Sequence, residues 1–360
     1  MRVSVIVSSY NYDRYVEESI ESALNQTYPD VEVVIVDDGS TDNSPEIIRR
    51  YEGRAKLLFK PNGGQASAFN FAYRECTGDL ILFLDCDDAL RADCVEKCVA
   101  AWRPGCSKVH FPLEVITDDG TRTGALVPRA HLPQGNFRQQ LLEEGMYVAP
   151  PNTGNIFSRE LLDRILPMPE NEFAYAPDSY LIFLAPLHGS VGAVQEPLGL
   201  YRRHVRSVTN ITLAERKEVG AKLKSMARSF KELRELLEEH SLALGLDLSP
   251  RAVSGHWLCL KVRLAMSRVA PELDPFGSPG TAKLLWPMLG SVWQTSELGF
   301  LDRCWLSTWA LLVALLPVAA AIVLIKFAFA PGERATLIRK TLGLSEPRKA
   351  SPAASGTTAR

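Results

Sequence analysis

Three acids follow directly on an unbroken apolar run: Leu80-Ile81-Leu82-Phe83-Leu84 leads into Asp85-Cys86-Asp87-Asp88. A short apolar run bounded by turn residues reads as a strand buried on both faces. Carboxylates at its carboxyl end lie where open α/β sheets bind ligands. Two Asp one residue apart have the hardness and spacing to hold a divalent cation, which in turn holds phosphate oxygens.

The elements that must position these acids can be read upstream. Val3-Ser4-Val5-Ile6-Val7 is a first strand, and Ser8-Ser9-Tyr10-Asn11 is the polar turn after it. Val16, Ile20, Ala23 and Leu24 fall on one helical face. Val31 to Val36 is a second strand ending in Asp37-Asp38-Gly39-Ser40, and Ala55 to Phe59 a third. Asn62-Gly63-Gly64-Gln65 is a loop opening a helix from Ala66 to Glu75. The order βαβαβαβ implies a parallel sheet. Strands one, two and four each end in small polar or acidic residues, so their ends form one rim. There is no GxGxxG loop and no GxxxxGK[ST] loop, which argues against a dinucleotide site and a P-loop.

Further on, Val109 to Val115 reads as a strand, Pro150 to Asn155 as a loop, Ser158 to Ile165 as a short helix and Tyr180 to Leu187 as another, with Asp178 near its cap. Tyr201-Arg202-Arg203-His204 is a basic cluster. From Leu213 to Leu244, Val219, Leu223, Met226, Phe230, Leu233 and Leu237 recur at spacings of three and four, a coiled-coil-like seam. Packing on its own domain and pairing with a second copy through residues 213–244 are both open to such a seam. Arg251 to Val269 reads as a helix and Pro271 to Pro279 as a linker.

Cys304 to Ile325 has no charged residue, and as a helix it would be about 33 Å long, enough to cross a bilayer. Pro317 interrupts it, so a buried hairpin or a re-entrant segment competes with a span. The basic tail, with Arg334, Arg339, Lys340, Arg348 and Lys349, resists translocation. Over 360 residues the net charge is −2, which gives no electrostatic case for nucleic-acid binding. Met1-Arg2-Val3 runs straight into a strand, so no secretory leader is expected. The seven scattered cysteines lack paired metal-ligand spacing and read as buried reduced thiols.

The first 210 or so residues resemble the family 2 inverting glycosyltransferases. The resemblance rests on Val3 to Asn11, Asn25-Gln26-Thr27-Tyr28-Pro29, Val36 to Asp42, Asn62 to Gln65 and the DXD motif Asp85-Cys86-Asp87. Singly each is weak; in this order and spacing they are specific. It implies a GT-A fold, the nucleotide-diphospho-sugar transferase-like α/β architecture. The expected organisation is a GT-A domain over 1–212, an α-helical extension over 213–300, a membrane-spanning or membrane-embedded segment over 301–330 and a basic, partly disordered tail over 331–360.

By position, the resemblance implies that Ser8, Tyr10 and Asp38 hold the base and ribose of a nucleotide sugar, with Gln65 reaching the same pocket. Asp85 would contact ribose or metal, Asp87 would be the main ligand of Mg²⁺ or Mn²⁺, and His204 a further one. Arg202 or Arg203 would clamp phosphate. Asp178 would be the general base, although the family more often has Glu-Asp where this chain has Pro177-Asp178. The implied reaction moves a sugar from a nucleotide donor, a UDP-sugar first, to a hydroxyl of a glycan or lipid-linked acceptor. No QxxRW motif follows the base, so single transfers are expected rather than processive synthesis. The expected location is cytoplasmic, at the inner face of the cell membrane. A nucleotidyltransferase would carry a Gly-rich basic loop after strand one, which Ser8 to Asn11 is not. A catalytically silent membrane scaffold would not need Asp38, Asp87 and Asp178.

Overall fold

A computed structural model describes residues 1–170, 173, 177–204, 216–295 and 297–329. The first half alternates as expected: β1 (Val3–Ser9), α1 (Val16–Leu24), β2 (Val31–Asp37), α2 (Ser44–Arg49), β3 (Lys56–Phe59), α3 (Gln65–Tyr73) and β4 (Leu80–Asp85). β1 is flanked by β2 and β4, and β2 by β3, all parallel. Val, Ile and Leu fill both faces of β1 and β4, where branched side chains pack well on a pleated surface. On one face Phe83 stacks on Phe69 of α3 with ring centres 4.4 Å apart. On the other, Leu82 and Leu84 pack with Val16 and Ile20 of α1.

The next elements are β5 (Ala89–Leu90), α4 (Cys94–Ala101), β6 (Cys106–His110), β7 (Leu113–Thr117), β8 (Arg122–Val127), α5 (Arg138–Glu144), β9 (Asn155–Ser158), α6 (Arg159–Ile165), α7 (Pro177–His188), β10 (Ser190–Ala193) and β11 (Gly199–Arg203). The main sheet runs β10-β6-β9-β4-β1-β2-β3. It is mixed rather than parallel throughout, because β9 enters antiparallel to both β4 and β6. The single strand expected over 109–115 is two: β6 belongs to the main sheet and β7 to a second sheet, β5-β11-β7-β8. Pro112, which cannot donate to a ladder, lies at the break. The second sheet brings β11 beside β5, just after the acidic turn.

The helical part comprises α8 (Arg216–Ala243), α9 (Trp257–Val269), α10 (Thr281–Gln294), α11 (Phe300–Leu315) and α12 (Val318–Phe329). The seam of α8 is used within the chain. Leu233 and Leu237 join the core beside α7, and Val219 and Leu223 join α9 in a separate cluster. From Val219 to Leu237, the described part of the stripe offered to a second copy over 213–244 is therefore packed within the chain. The membrane-spanning reading of 301–330 is also corrected. Pro317 lacks an N–H and separates α11 from α12, so the charge-free run folds as two short helices. Trp309 donates its indole N–H to the carbonyl of Leu324 across that turn, at 3.0 Å. Among the described residues no helix is long and apolar enough to cross a membrane. The tail 331–360 lies outside the described residues.

A polar clasp joins the two parts. Val253 donates its N–H to Glu144 O at 2.8 Å, and a Cβ on Gly145 (φ +76°) would meet Val253 N at 2.3 Å. Next to it, His256 Nδ1 accepts the Leu258 N–H, which assigns the ring proton to Nε2. That Nε2 lies 3.3 Å from Glu297, which also accepts Trp257 Nε1–H at 3.0 Å. Burial raises the Glu297 carboxyl, but these hydrogen bonds outweigh it and leave it below its usual range. Five cysteines are buried, with Cys106 and Cys304 half-buried, and all seven are free thiols.

Candidate active site

The carboxyl ends of β4, β1 and β2 lie side by side. Ser8 is in register with Asp85, and Ser9 with Asp37, so the three polar strand ends form one rim. Half-buried Asp85 accepts Gln65 Nε2 at 2.6 Å and Asn152 Nδ2 at 2.8 Å on the same oxygen. Burial and the charge of Asp87 push Asp85 up to about 8, with Asp178 adding to the rise.

The remaining acids of the turn divide their roles by exposure. Asp88 is buried; it accepts the Thr153 hydroxyl at 2.7 Å and the Arg202 N–H at 2.9 Å. It braces the turn. Asp87 is partly exposed, and its Oδ2 is 2.9 Å from Nε2 of His204. The expected metal pair thus meets across a long chain separation. His204 is held by the rings of Tyr12 and Tyr15, at 5.4 and 5.2 Å between centres.

Arg202 is not a phosphate clamp. It is buried, its guanidinium lies 5.0 Å from the Tyr15 ring centre, and it donates to Asp87 O at 2.9 Å and to Glu18. Its donors are engaged in holding the acidic turn against α1. Arg203 is exposed.

Asp38 is buried, and its two oxygens are filled by the 60–64 loop that follows β3. Lys60 Nζ (2.5 Å) and Gly63 N (3.0 Å) reach Oδ1; Gly64 N (2.8 Å) and Asn62 Nδ2 (3.3 Å) reach Oδ2. A carboxylate offers about four acceptor positions. A nucleotide contact there must displace one of these donors. The arrangement fixes the turn before α3 and so places Gln65 against Asp85. Gly39 is required beneath it, since a Cβ would meet Asn62 N at 2.6 Å. Ser8 is buried and Tyr10 exposed on the same rim.

Asp178 stands in the first turn of α7 and accepts the Ser179 N–H at 2.9 Å. Burial raises its carboxyl above the ordinary range, against the opposing pull of the nearby backbone N–H groups, that of Ser179 first. Asn152 thus holds Asp85 through its side chain, and its backbone N–H faces toward Asp178.

Asn152 and its support are the site residues that sequence reading did not single out. Asn155 donates to the carbonyls of Pro151 and Asn152, and accepts from Lys108 at 2.6 Å. Lys108 is fully buried, which pushes its ammonium far down in pKa. The only sequence signal is the density of Asn, Thr, Gly and Pro over 150–155 ahead of Ile156-Phe157.

Residues 4–166 match the model of glycosyl transferase family 2. An uncharacterized glycosyltransferase of Nostoc sp. is 34% identical over 211 residues, covering 57% of this chain and 65% of the relative. The chondroitin synthase of Pasteurella multocida is 46% identical over 100 residues, 27% of this chain and 10% of that one. The chain thus spans less than two thirds of either relative. Among solved structures, residues 1–349 of Staphylococcus aureus TarS in complex with UDP-GlcNAc superpose with a TM-score of 0.50 at 16% identity, covering 98% of this chain and 95% of that one. The matched stretch contains Ser8, Asp38, Asp85, Asp87 and Asn152, while Asp178 and His204 lie beyond it. Residues 4–166, which carry the acid-rimmed sheet in a GT-A-like α/β fold, are accordingly similar to the glycosyl transferase family 2 domain.

Proposed function

We propose that the chain is an inverting glycosyltransferase that moves a sugar from a nucleotide-diphospho-sugar to a hydroxyl of a glycan or lipid-linked acceptor. The observation that supports this reading best is the meeting at one strand-end rim of Asp85 with Asn152 and of Asp87 with His204, with Asp178 close enough to act on Asp85. Donor and acceptor chemistry need different acids, and the rim offers both. UDP-sugars are the donor class to test first, since the TarS structure of this fold was solved with UDP-GlcNAc.

The Asp87–His204 pair fits a divalent cation. Two ligands on adjacent corners of an octahedron with bonds of about 2.1 Å lie about 3 Å apart, close to the 2.9 Å between these atoms. Asp87 and His204 would hold Mg²⁺ or Mn²⁺, and the ion would supply positive charge against the diphosphate.

The remaining work falls to the chain. Ser8, Tyr10 and Gln65 orient the nucleotide along the rim, and Asp38 keeps the 62–64 turn in place. The acceptor hydroxyl attacks the anomeric carbon on the face opposite the diphosphate. Its proton passes to Asp178, and the anomeric C–O bond breaks with its electron pair leaving on the nucleoside diphosphate. A carboxylate raised by burial is a stronger base near neutral pH than an exposed one. We place the enzyme at the cytoplasmic face of the cell membrane, where lipid-linked acceptors are presented. Nucleoside diphosphate release from a donor panel, with Mg²⁺ and Mn²⁺ compared, tests the reading; no turnover or binding with any donor would overturn it.

A further inference from the structure

The exposed faces of α10 and α11 carry large apolar side chains. On α11, Leu301 is 80% exposed and Leu315 78%, with Trp305, Leu311 and Leu312 partly open between them. These positions recur at helical spacing, so they form one stripe along the helix. Asp302, at its start, is the one charged residue among the exposed positions of α11. On α10, Trp286 is 71% exposed, and Trp293 is also open to solvent. Phe300 packs edge-on against Trp293, with ring centres 6.1 Å apart, and joins the two stripes into one surface. Arg303 holds the corner between the helices by donating to the carbonyls of Thr295 and Leu298.

We infer that this α10–α11 face docks on an anionic lipid surface, lying in the plane of the headgroups. Indole rings set beside aliphatic side chains are the residue mixture of membrane–water interfaces. Trp293 keeps a polar end toward the protein, donating Nε1–H to Ser307 at 3.0 Å while its ring stays exposed. Neither α11 nor α12 is long enough to cross a bilayer, so the contact is with one leaflet. Charge selects the occupant. Lys283 precedes Trp286 by three positions on the same exposed face of α10. The tail after α12 carries Arg334, Arg339, Lys340, Arg348, Lys349 and Arg360 against Glu333 and Glu346. Anionic headgroups complement this positive balance. The inference does not depend on the glycosyl-transfer reading, since no residue of the rim takes part.

The test is co-sedimentation of the full chain with vesicles of phosphatidylcholine alone and with added phosphatidylglycerol. The triple variant Trp286→Ser, Leu301→Ser, Leu315→Ser is run beside it. All three side chains are exposed, so circular dichroism and thermal unfolding should match the parent. Binding to the anionic vesicles is expected, weaker at high salt, and reduced about tenfold or more in the variant. No binding to anionic vesicles, or equal binding by the variant, would overturn the inference. So would a dimer in sedimentation equilibrium that the variant breaks while vesicles are ignored, since a second copy would then be the occupant. Equal binding to neutral and anionic vesicles would overturn the charge selection.

Discussion

Asn152 donates its side-chain N–H to the carboxylate of Asp85 across 2.8 Å. The Asn152 backbone also lies near enough to Asp178 to favour its charged form, so this one loop residue stands between the donor-side acids and the proposed base. Replacing Asn152 with Ala leaves Asp85 with Gln65 alone on that oxygen. We expect turnover to fall about tenfold to a hundredfold, as misplacement of catalytic groups does. Circular dichroism should be unchanged, and UDP affinity measured by calorimetry should also fall. Wild-type turnover in this variant would show that the contact does not position the site.

Asp178→Asn removes the base while keeping the hydrogen-bond geometry at the start of α7. Turnover should drop by about 10²–10⁴. Because burial raises this carboxyl, the acid limb of kcat/KM against pH should lie above the ordinary carboxylate range, with activity lost as pH falls through it. An acid limb at an ordinary Asp value, or normal turnover by Asp178→Asn, would remove the assignment.

Asp87→Asn and His204→Gln each withdraw one of two ligand atoms 2.9 Å apart. Wild-type protein should gain thermal stability with Mn²⁺ and lose activity on chelation. Each variant should lose most of the Mn²⁺-dependent shift in Tm. An undiminished shift in both would place the ion elsewhere.

Much of the donor half is legible in the sequence, because β1, β2 and β4 are short, largely buried runs each closed by a polar turn. Local pattern suffices there. It does not suffice for β9, whose Ile156-Phe157 is too short to announce a strand inserted between β4 and β6. Nor does it reveal that Asp38 is filled by the 60–64 loop or that Arg202 is buried under the acidic turn, since both depend on contacts distant in sequence. A charge-free run looks the same whether it crosses a bilayer or turns back at Pro317. Its neighbours in space decide between the two.

Lys108 gives a pH signature of the buried support behind Asn152. The unfolded chain holds a proton on this amine up to its ordinary value of about 10.4, while the folded state binds it only far lower. Over that window the unfolded state binds more protons, so this residue makes stability rise with pH. Lys108→Met should show a smaller rise than wild type between pH 7 and 10 in denaturant unfolding. Parallel curves would mean that Lys108 stays protonated in the fold.

The central claim is that the β4–β1–β2 rim activates a nucleotide sugar. The direct measurement is nucleoside diphosphate release by the full chain from a panel of UDP- and GDP-sugars, with Mg²⁺, Mn²⁺ or chelator, alongside Asp87→Asn. Release from at least one donor is expected, dependent on the cation and lost in the variant. Failure to turn over or bind any donor, or release that persists unchanged in Asp87→Asn, would contradict it.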